Sequence, residues 1–179
     1  MLDNELMLMA FTVQCDKLYL ADAKRISNKL LLKEKYNPVR YTLATRRGLH
    51  QKPNIIYSSW KMKVRQVFEA EFGFSIYDAF IKNERYAVYV KMWFKDDRRA
   101  DTDNVVKGIR DSLFPKPDID DHNVSGAEEF YFDKLNPRVE VVVIGLSTNR
   151  DEDKKLMAAC YDWLLEEQMK FEDILSNKT

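Results

Sequence analysis

The sequence predicts an α+β fold: a small mixed, mainly antiparallel sheet packed by helices, with an added C-terminal helix. Three observations predict it. Runs rich in aromatic and β-branched residues, above all 85–94, 124–132 and 138–146, have the composition of strands. Other stretches repeat their apolar residues at helical spacing. Apolar residues make up 45% of 179, enough to build a core in a chain of about one domain's length.

Taken in order, Leu6 to Val13 reads as a first strand. Residues 22–35 read as a short basic helix. The stretch Asn37 to Asn54 is polar, basic and broken by Pro38, Gly48 and Pro53, so it reads as a loop or hairpin. A helix starts at Ser58 or Ser59, either of which can cap it. Its apolar stripe is Trp60, Val64, Val67, Phe68 and Phe72, and Gly73 ends it. The strand 85–94 leads through a charged turn, Lys95 to Ala100, into a helix from Asp103 to Phe114. Val105, Val106, Ile109 and Leu113 form the packing side of that helix. Pro115 and Pro117 stop it. The strands 124–132 and 138–146 are joined by a turn at Asp133 to Pro137, short enough to predict that they pair antiparallel. An amphipathic helix runs from Asn149 or Asp151 to about Leu175, with Leu156, Ala159, Cys160, Trp163, Leu164 and Phe171 on one side.

Lysine and arginine balance aspartate and glutamate at 29 each, which argues against a purely electrostatic binder of nucleic acid. The charges are segregated, however. Between positions 24 and 65 there are twelve bases and one acid, Glu34, whereas the chain from Asp151 onward is acidic. A basic lobe suits a polyanion. No apolar run reaches the roughly 18 residues of a membrane-spanning helix, and Met1 to Glu5 lack the basic-then-apolar order of a signal peptide. Cys15 and Cys160 have no metal-ligand spacing and read as free thiols of a reducing compartment.

The chemistry is concentrated between Asp101 and Asp121. Asp101, Asp103, Asp111, Asp120 and Asp121 surround Lys107. Oxygen-only ligands suit Mg²⁺ or Mn²⁺ rather than zinc or copper, and a carboxylate-held Mg²⁺ beside a lysine suits chemistry on phosphates. Asp101 sits just before the helix and Asp103 in its first turn, so both can converge at one helix end. Asp120 and Asp121 follow a proline-broken connection that can return a third carboxylate to that end. The competing reading is structural: an N-cap with first-turn acids, and an exposed ladder of Asp103, Lys107 and Asp111 at i, i+4 and i+8. An EF-hand is excluded, because its fifth and sixth positions would be Val105 and Val106. The aspartyl-nucleophile phosphatase motif is disfavoured, because Lys95 to Ala100 separates the strand from Asp101. No glycine-rich phosphate loop is present, so no nucleotide cofactor is expected. His50 and His122 are the histidines, and His122 reads as a loop residue.

The series Asp101, Asp103, Asn104, Lys107 and Asp111, followed by Asp120-Asp121, resembles the motif of the RusA-type Holliday junction resolvases. The helix containing Tyr57 to Lys61 and Val64 to Val67, and the strand 86–94 followed by Arg98 and Arg99, are also similar to that family. The resemblance covers about residues 55–146. Of the family's Pro-Pro-Ser-x-Asn-like segment, the chain has Ser27-Asn28. The resemblance implies a RusA-like endonuclease domain over 1–147 and a helical extension over 148–179. It implies a homodimer that cuts four-way DNA junctions in the cytoplasm of a bacterial or phage-infected cell, with Mg²⁺ or Mn²⁺. Asp101, Asp103 and Asp121 would be the essential metal carboxylates, supported by Asp120 and Asp111, and Lys107 the essential lysine. Lys95, Arg98, Arg99, Arg46, Arg47 and Lys61 would carry DNA phosphates. A noncatalytic DNA-binding recombination-accessory protein is the alternative.

Overall fold

The computed structural model describes residues 8–22, 25–32, 34–40, 52–76, 85–97, 101–114, 124–146 and 150–176. Its elements are β1 (Leu8–Gln14), β2 (Leu18–Asp22), β3 (Arg25–Leu32), α1 (Lys52–Phe72), β4 (Tyr86–Phe94), α2 (Thr102–Leu113), β5 (Val124–Phe132), β6 (Arg138–Gly145), α3 (Arg150–Leu165) and α4 (Phe171–Ser176). The fold is α+β, with a four-stranded sheet in the order β1-β6-β4-β5. The pairings β1–β6 and β6–β4 are antiparallel, and β4–β5 is parallel.

The sheet is covered on both faces. On one face, Phe11, Val13, Val88, Val90, Met92, Val141 and Val143 pack against Trp60, Val64 and Phe68 of α1 and Val105, Val106, Ile109 and Leu113 of α2. On the other, Ala87, Tyr89, Val142 and Ile144 pack against Leu156, Cys160, Trp163 and Leu164 of α3 and Ile174 of α4. The central strand β4 is therefore buried at every position, which explains its nearly continuous apolar composition. The C-terminal helices find their partner surface on the chain's own sheet. No described helix is long and apolar enough to cross a membrane.

Four expectations need correction. Residues 22–35 are not a basic helix: Arg25–Leu32 is β3, paired with β2 in a separate two-stranded sheet. Helix propensity is a weak preference, and a strand immediately upstream can satisfy the whole row of backbone groups at once. The helix expected from Ser58 or Ser59 begins at Lys52. Pro53 lies within its first turn, where a missing N–H costs nothing, so it is no breaker there. Gly73, with φ +75°, does end it.

The strands 124–132 and 138–146 do not pair with each other, because β4 lies between them. The connection Asp133 to Pro137 passes over the end of β4: Asp133 N–H donates to the Phe94 carbonyl at 2.8 Å. Skipping one strand spans about 10 Å, well within the roughly 17 Å reach of five extended residues. Asp133 Oδ1 tightens the turn by accepting from the N–H groups of Leu135 and Asn136. Parallel pairing of β5 follows from the crossover through α2. The two strands approach closely at Gly126, where φ is +146° and a Cβ would lie 1.8 Å from the Val88 oxygen. Only glycine fits there.

The single helix expected to about Leu175 is two. The helix α3 ends at Leu165 and α4 starts at Phe171. Between them, Lys91 of the central strand, fully buried, donates from Nζ to the Glu166 carbonyl at 2.9 Å and the Met169 carbonyl at 3.4 Å. A buried ammonium thus gathers two carbonyls of the segment between α3 and α4. Its Nζ also lies 4.5 Å from the Trp163 ring centroid and 5.7 Å from that of Tyr131, a favourable place for a cation.

Candidate active site

The helix α2 starts where the chain leaves the charged turn after β4. Asp101 is its N-cap residue, and its carbonyl accepts from Asn104 N–H at 3.1 Å. The Asp101 side chain does not cap the helix; its Oδ2 accepts from Asn104 Nδ2 at 3.1 Å. One stripe of α2 then presents Asp103, Val106, Lys107, Arg110 and Asp111 at i, i+3 and i+4 spacings. The opposite stripe, Val105, Ile109 and Leu113, is buried on the sheet. The pattern that buries one side thus fixes the other in place over β5.

From β5, Glu128 closes the groove. With Asp103, Val106, Lys107, Arg110 and Asp111 it lines a cavity of about 280 Å³. Glu128 and Asp103 are joined by a side-chain hydrogen bond. Burial first, then that hydrogen bond and the Asp103 charge, raise the Glu128 carboxyl above its ordinary range; Arg110 works the other way. Two carboxylates this close repel unless a proton or a cation lies between them. Arg110 Nε is buried without a hydrogen-bond partner, and such a group is uncommon in a folded chain.

The other end of the groove is held by α1. Tyr57 Oη donates to Asp111 Oδ2 at 2.9 Å, and Lys107 Nζ lies 3.5 Å from Asp111 Oδ1. Gly108 packs closely under this ring: a Cβ there would lie 3.1 Å from Tyr57 Cε2. Arg65 Nε donates to the Ser112 carbonyl at 3.3 Å and ties the two helices further. Lys61 Nζ sits 4.9 Å from the centroid of the same Tyr57 ring, placing a cation beside the residue that orients Asp111.

The structure thus brings Asp103, Lys107 and Asp111 together in one groove, with Asp101 at the cap of the same helix. Lys95 is elsewhere, donating from Nζ to the Lys35 carbonyl at 3.0 Å. Asp120, Asp121, His122, Arg98, Arg99, Arg46, Arg47 and His50 lie outside the described residues. Sequence reasoning missed Glu128 and Arg110. Glu128 had a signal: it is in phase with Val124 and Phe130, which pack against the core under α1 and α2, so an acid there interrupts an inward-facing series.

Among the described residues, no three acidic, histidine or cysteine side chains form a group that could hold a metal ion. Mg²⁺ does not require such a cage; it commonly keeps several waters and uses one or two carboxylates. Asp103 and Glu128, all-oxygen and already in contact, fit that pattern. Compared with known proteins, the sequence matches no family model and no curated protein.

Proposed function

We propose that this chain is an Mg²⁺-dependent, structure-selective endonuclease that acts as a homodimer on four-way DNA junctions. One observation carries the chemical part of the reading. A single groove holds the carboxylates Asp103, Asp111 and Glu128 alongside the cations Lys107 and Arg110. The junction, the dimer and the roles of Asp101, Asp120 and Asp121 come from the motif's resemblance to the RusA-type resolvases.

In this reading Asp103 and Glu128 hold the cation, with Asp101 and Asp121 as the further ligands that the motif supplies. The metal's contribution is to activate water and stabilise the leaving oxygen of a phosphodiester. The chain's own residues do the rest. Arg110, which lines the groove, binds a phosphate oxygen through its guanidinium. Lys107 neutralises phosphate charge, and its ion pair with Asp111 holds the ammonium at the groove. Tyr57 fixes Asp111, and so the lysine, by its hydrogen bond. The phosphate backbone, rather than base edges, is what such a groove reads.

The noncatalytic DNA-binding alternative draws on the Lys107–Asp111 pair, which is also what an ordinary exposed i, i+4 ladder looks like. Incubating the protein with a synthetic four-way junction and a linear duplex of the same sequences, with and without Mg²⁺, separates the two. Metal-dependent nicking of the junction supports the nuclease; tight junction binding with intact strands under all conditions supports the accessory protein.

A further inference from the structure

A second cavity, of about 370 Å³, lies between β2 and α1 and is lined by Lys17, Tyr19, Ser59, Met62, Lys63, Gln66, Val67 and Ala70. The α1 residues among these belong to a different stripe of the helix from Tyr57, which bonds Asp111, and from Lys61, which lies over the Tyr57 ring. The volume lies in the range of small-ligand sites.

Its walls are unusual in three ways. Tyr19 and Met62, both apolar enough to be buried, are 50% and 41% exposed at its edge. Ser59 is only 3% exposed, yet its hydroxyl has no hydrogen-bond partner. A buried polar group without a partner is uncommon. The two lysines also differ. Lys63 is committed, with Nζ 3.0 Å from Asp16 Oδ1 and 2.7 Å from the Lys17 carbonyl. The Asp16–Lys63 pair thereby holds the Lys17 backbone and leaves the Lys17 ammonium as the cation at the mouth.

We propose that this cavity accepts an unpaired nucleobase of single-stranded DNA, with the adjoining phosphate on Lys17. The walls supply what a base needs. Tyr19 gives an aromatic face for stacking, and Met62, Val67 and Ala70 give an apolar surface. Ser59 and Gln66 give hydrogen-bonding groups for a base edge. Stacking on aromatic side chains is the general means by which single strands are held without sequence preference. A lipid chain or an apolar peptide would leave Ser59 unpaired and make no use of Lys17. The inference rests on the reading of the chain as a DNA-junction protein.

The test uses a 5′-phosphorylated thymidine tetranucleotide without metal, followed by NMR titration of the full chain, beside junction cleavage measured separately. Binding should shift the amide signals of β2 and of α1 around Ser59 to Gln66. Tyr19→Ala should weaken tetranucleotide binding on the order of ten-fold, Ser59→Ala should weaken it less, and Tyr19→Phe should restore stacking and affinity. Melting temperatures of the three variants should match that of wild type, so that a loss of affinity is not a loss of fold. Equal affinity in Tyr19→Ala and wild type, or shifts confined to α2 and β5, would overturn the base site even if the junction is cleaved. Tetranucleotide binding at β2 with no junction cleavage would keep the base site and sink the nuclease. Failure of the chain to bind any nucleic acid would sink both.

Discussion

Glu128 of β5 hydrogen-bonds Asp103 in the first turn of α2, and burial together with that contact raises the Glu128 carboxyl above its ordinary range. That contact joins the motif-bearing helix to a strand outside the motif. It also fixes how the groove responds to charge.

Asp103→Asn should abolish metal-dependent strand cleavage while leaving junction binding intact or stronger. The change removes a negative charge that repels phosphate and a ligand that places the metal. Loss of a ligand should exceed the roughly 10- to 100-fold typical of an outer partner. Gel-shift and nicking assays on one preparation should separate; near-wild-type cleavage would reduce Asp103 to a first-turn helix acid.

Glu128→Gln should make stability less sensitive to pH on the acidic side. The folded carboxyl titrates above its ordinary 4.5. The native state therefore holds the proton more tightly than the unfolded chain, and the contribution to stability is full below about pH 4.5. It is lost as pH rises through the raised folded value. Melting temperatures of wild type should fall across that interval relative to the variant. Added Mg²⁺ should recover the loss at neutral pH in wild type and recover less in Glu128→Gln. No metal-dependent shift in wild type would count against a cation at this pair.

Lys91 has the opposite sign. Burial outweighs its acidic neighbours Glu140, Glu166 and Glu167 and, with Arg138, brings its ammonium down from 10.5 to about 8. Between those two values the unfolded chain binds more protons than the folded one, so this group makes the fold more stable as pH rises. Against Lys91→Met, wild type should gain up to about 1.4 kcal/mol per pH unit across that window. Paired urea titrations of the two proteins at pH 7.5 and 9.5 cancel the other titrating groups, including Cys15 and Tyr36, whose burial raises them. A stability gap constant with pH would mean that Lys91 stays as fully protonated in the fold as in the unfolded chain, and that burial does not lower its ammonium.

Trp163→Ala should cost about 3–5 kcal/mol, the usual loss for a fully buried large aromatic. It removes the main contact of α3 with the sheet and the closer ring over Lys91. The groove lies on the other face of the sheet, so below the new melting temperature the Mg²⁺ dependence of cleavage should be unaltered. A chain ending at Leu146 should show a larger loss of the same kind. Lost cleavage at unchanged stability would place the C-terminal helices in catalysis.

Much of the fold was legible because it is locally encoded. The helix α2 could be read from Val105, Val106, Ile109 and Leu113 on one side and Asp103, Lys107 and Asp111 on the other. The central strand could be read from its unbroken apolar run. What failed depended on distant partners. The strand β3 exists because β2 pairs with it, the separation of β5 from β6 depends on β4, and the break after Leu165 is matched to a lysine in another element. The candidate site followed the same division. Asp103, Lys107 and Asp111 share one helix and were found together, whereas Glu128 comes from a strand and needed the register of the sheet.

The pairing of Leu8 with Ile144 and of Gln14 with Arg138 has a consequence for biosynthesis. Of the described strands β1 leaves the ribosome before the others, but its sheet neighbour β6 is made after them. Throughout translation of the intervening chain, Met9, Phe11 and Val13 have no sheet to enter, although all three are buried once folding is complete. Contacts so far apart in sequence slow folding, and exposed apolar segments of this kind are what chaperones hold. A stalled nascent chain released before β6 should therefore be bound by chaperone and sensitive to protease from its first strand onward, and one stalled after α4 has emerged should be resistant.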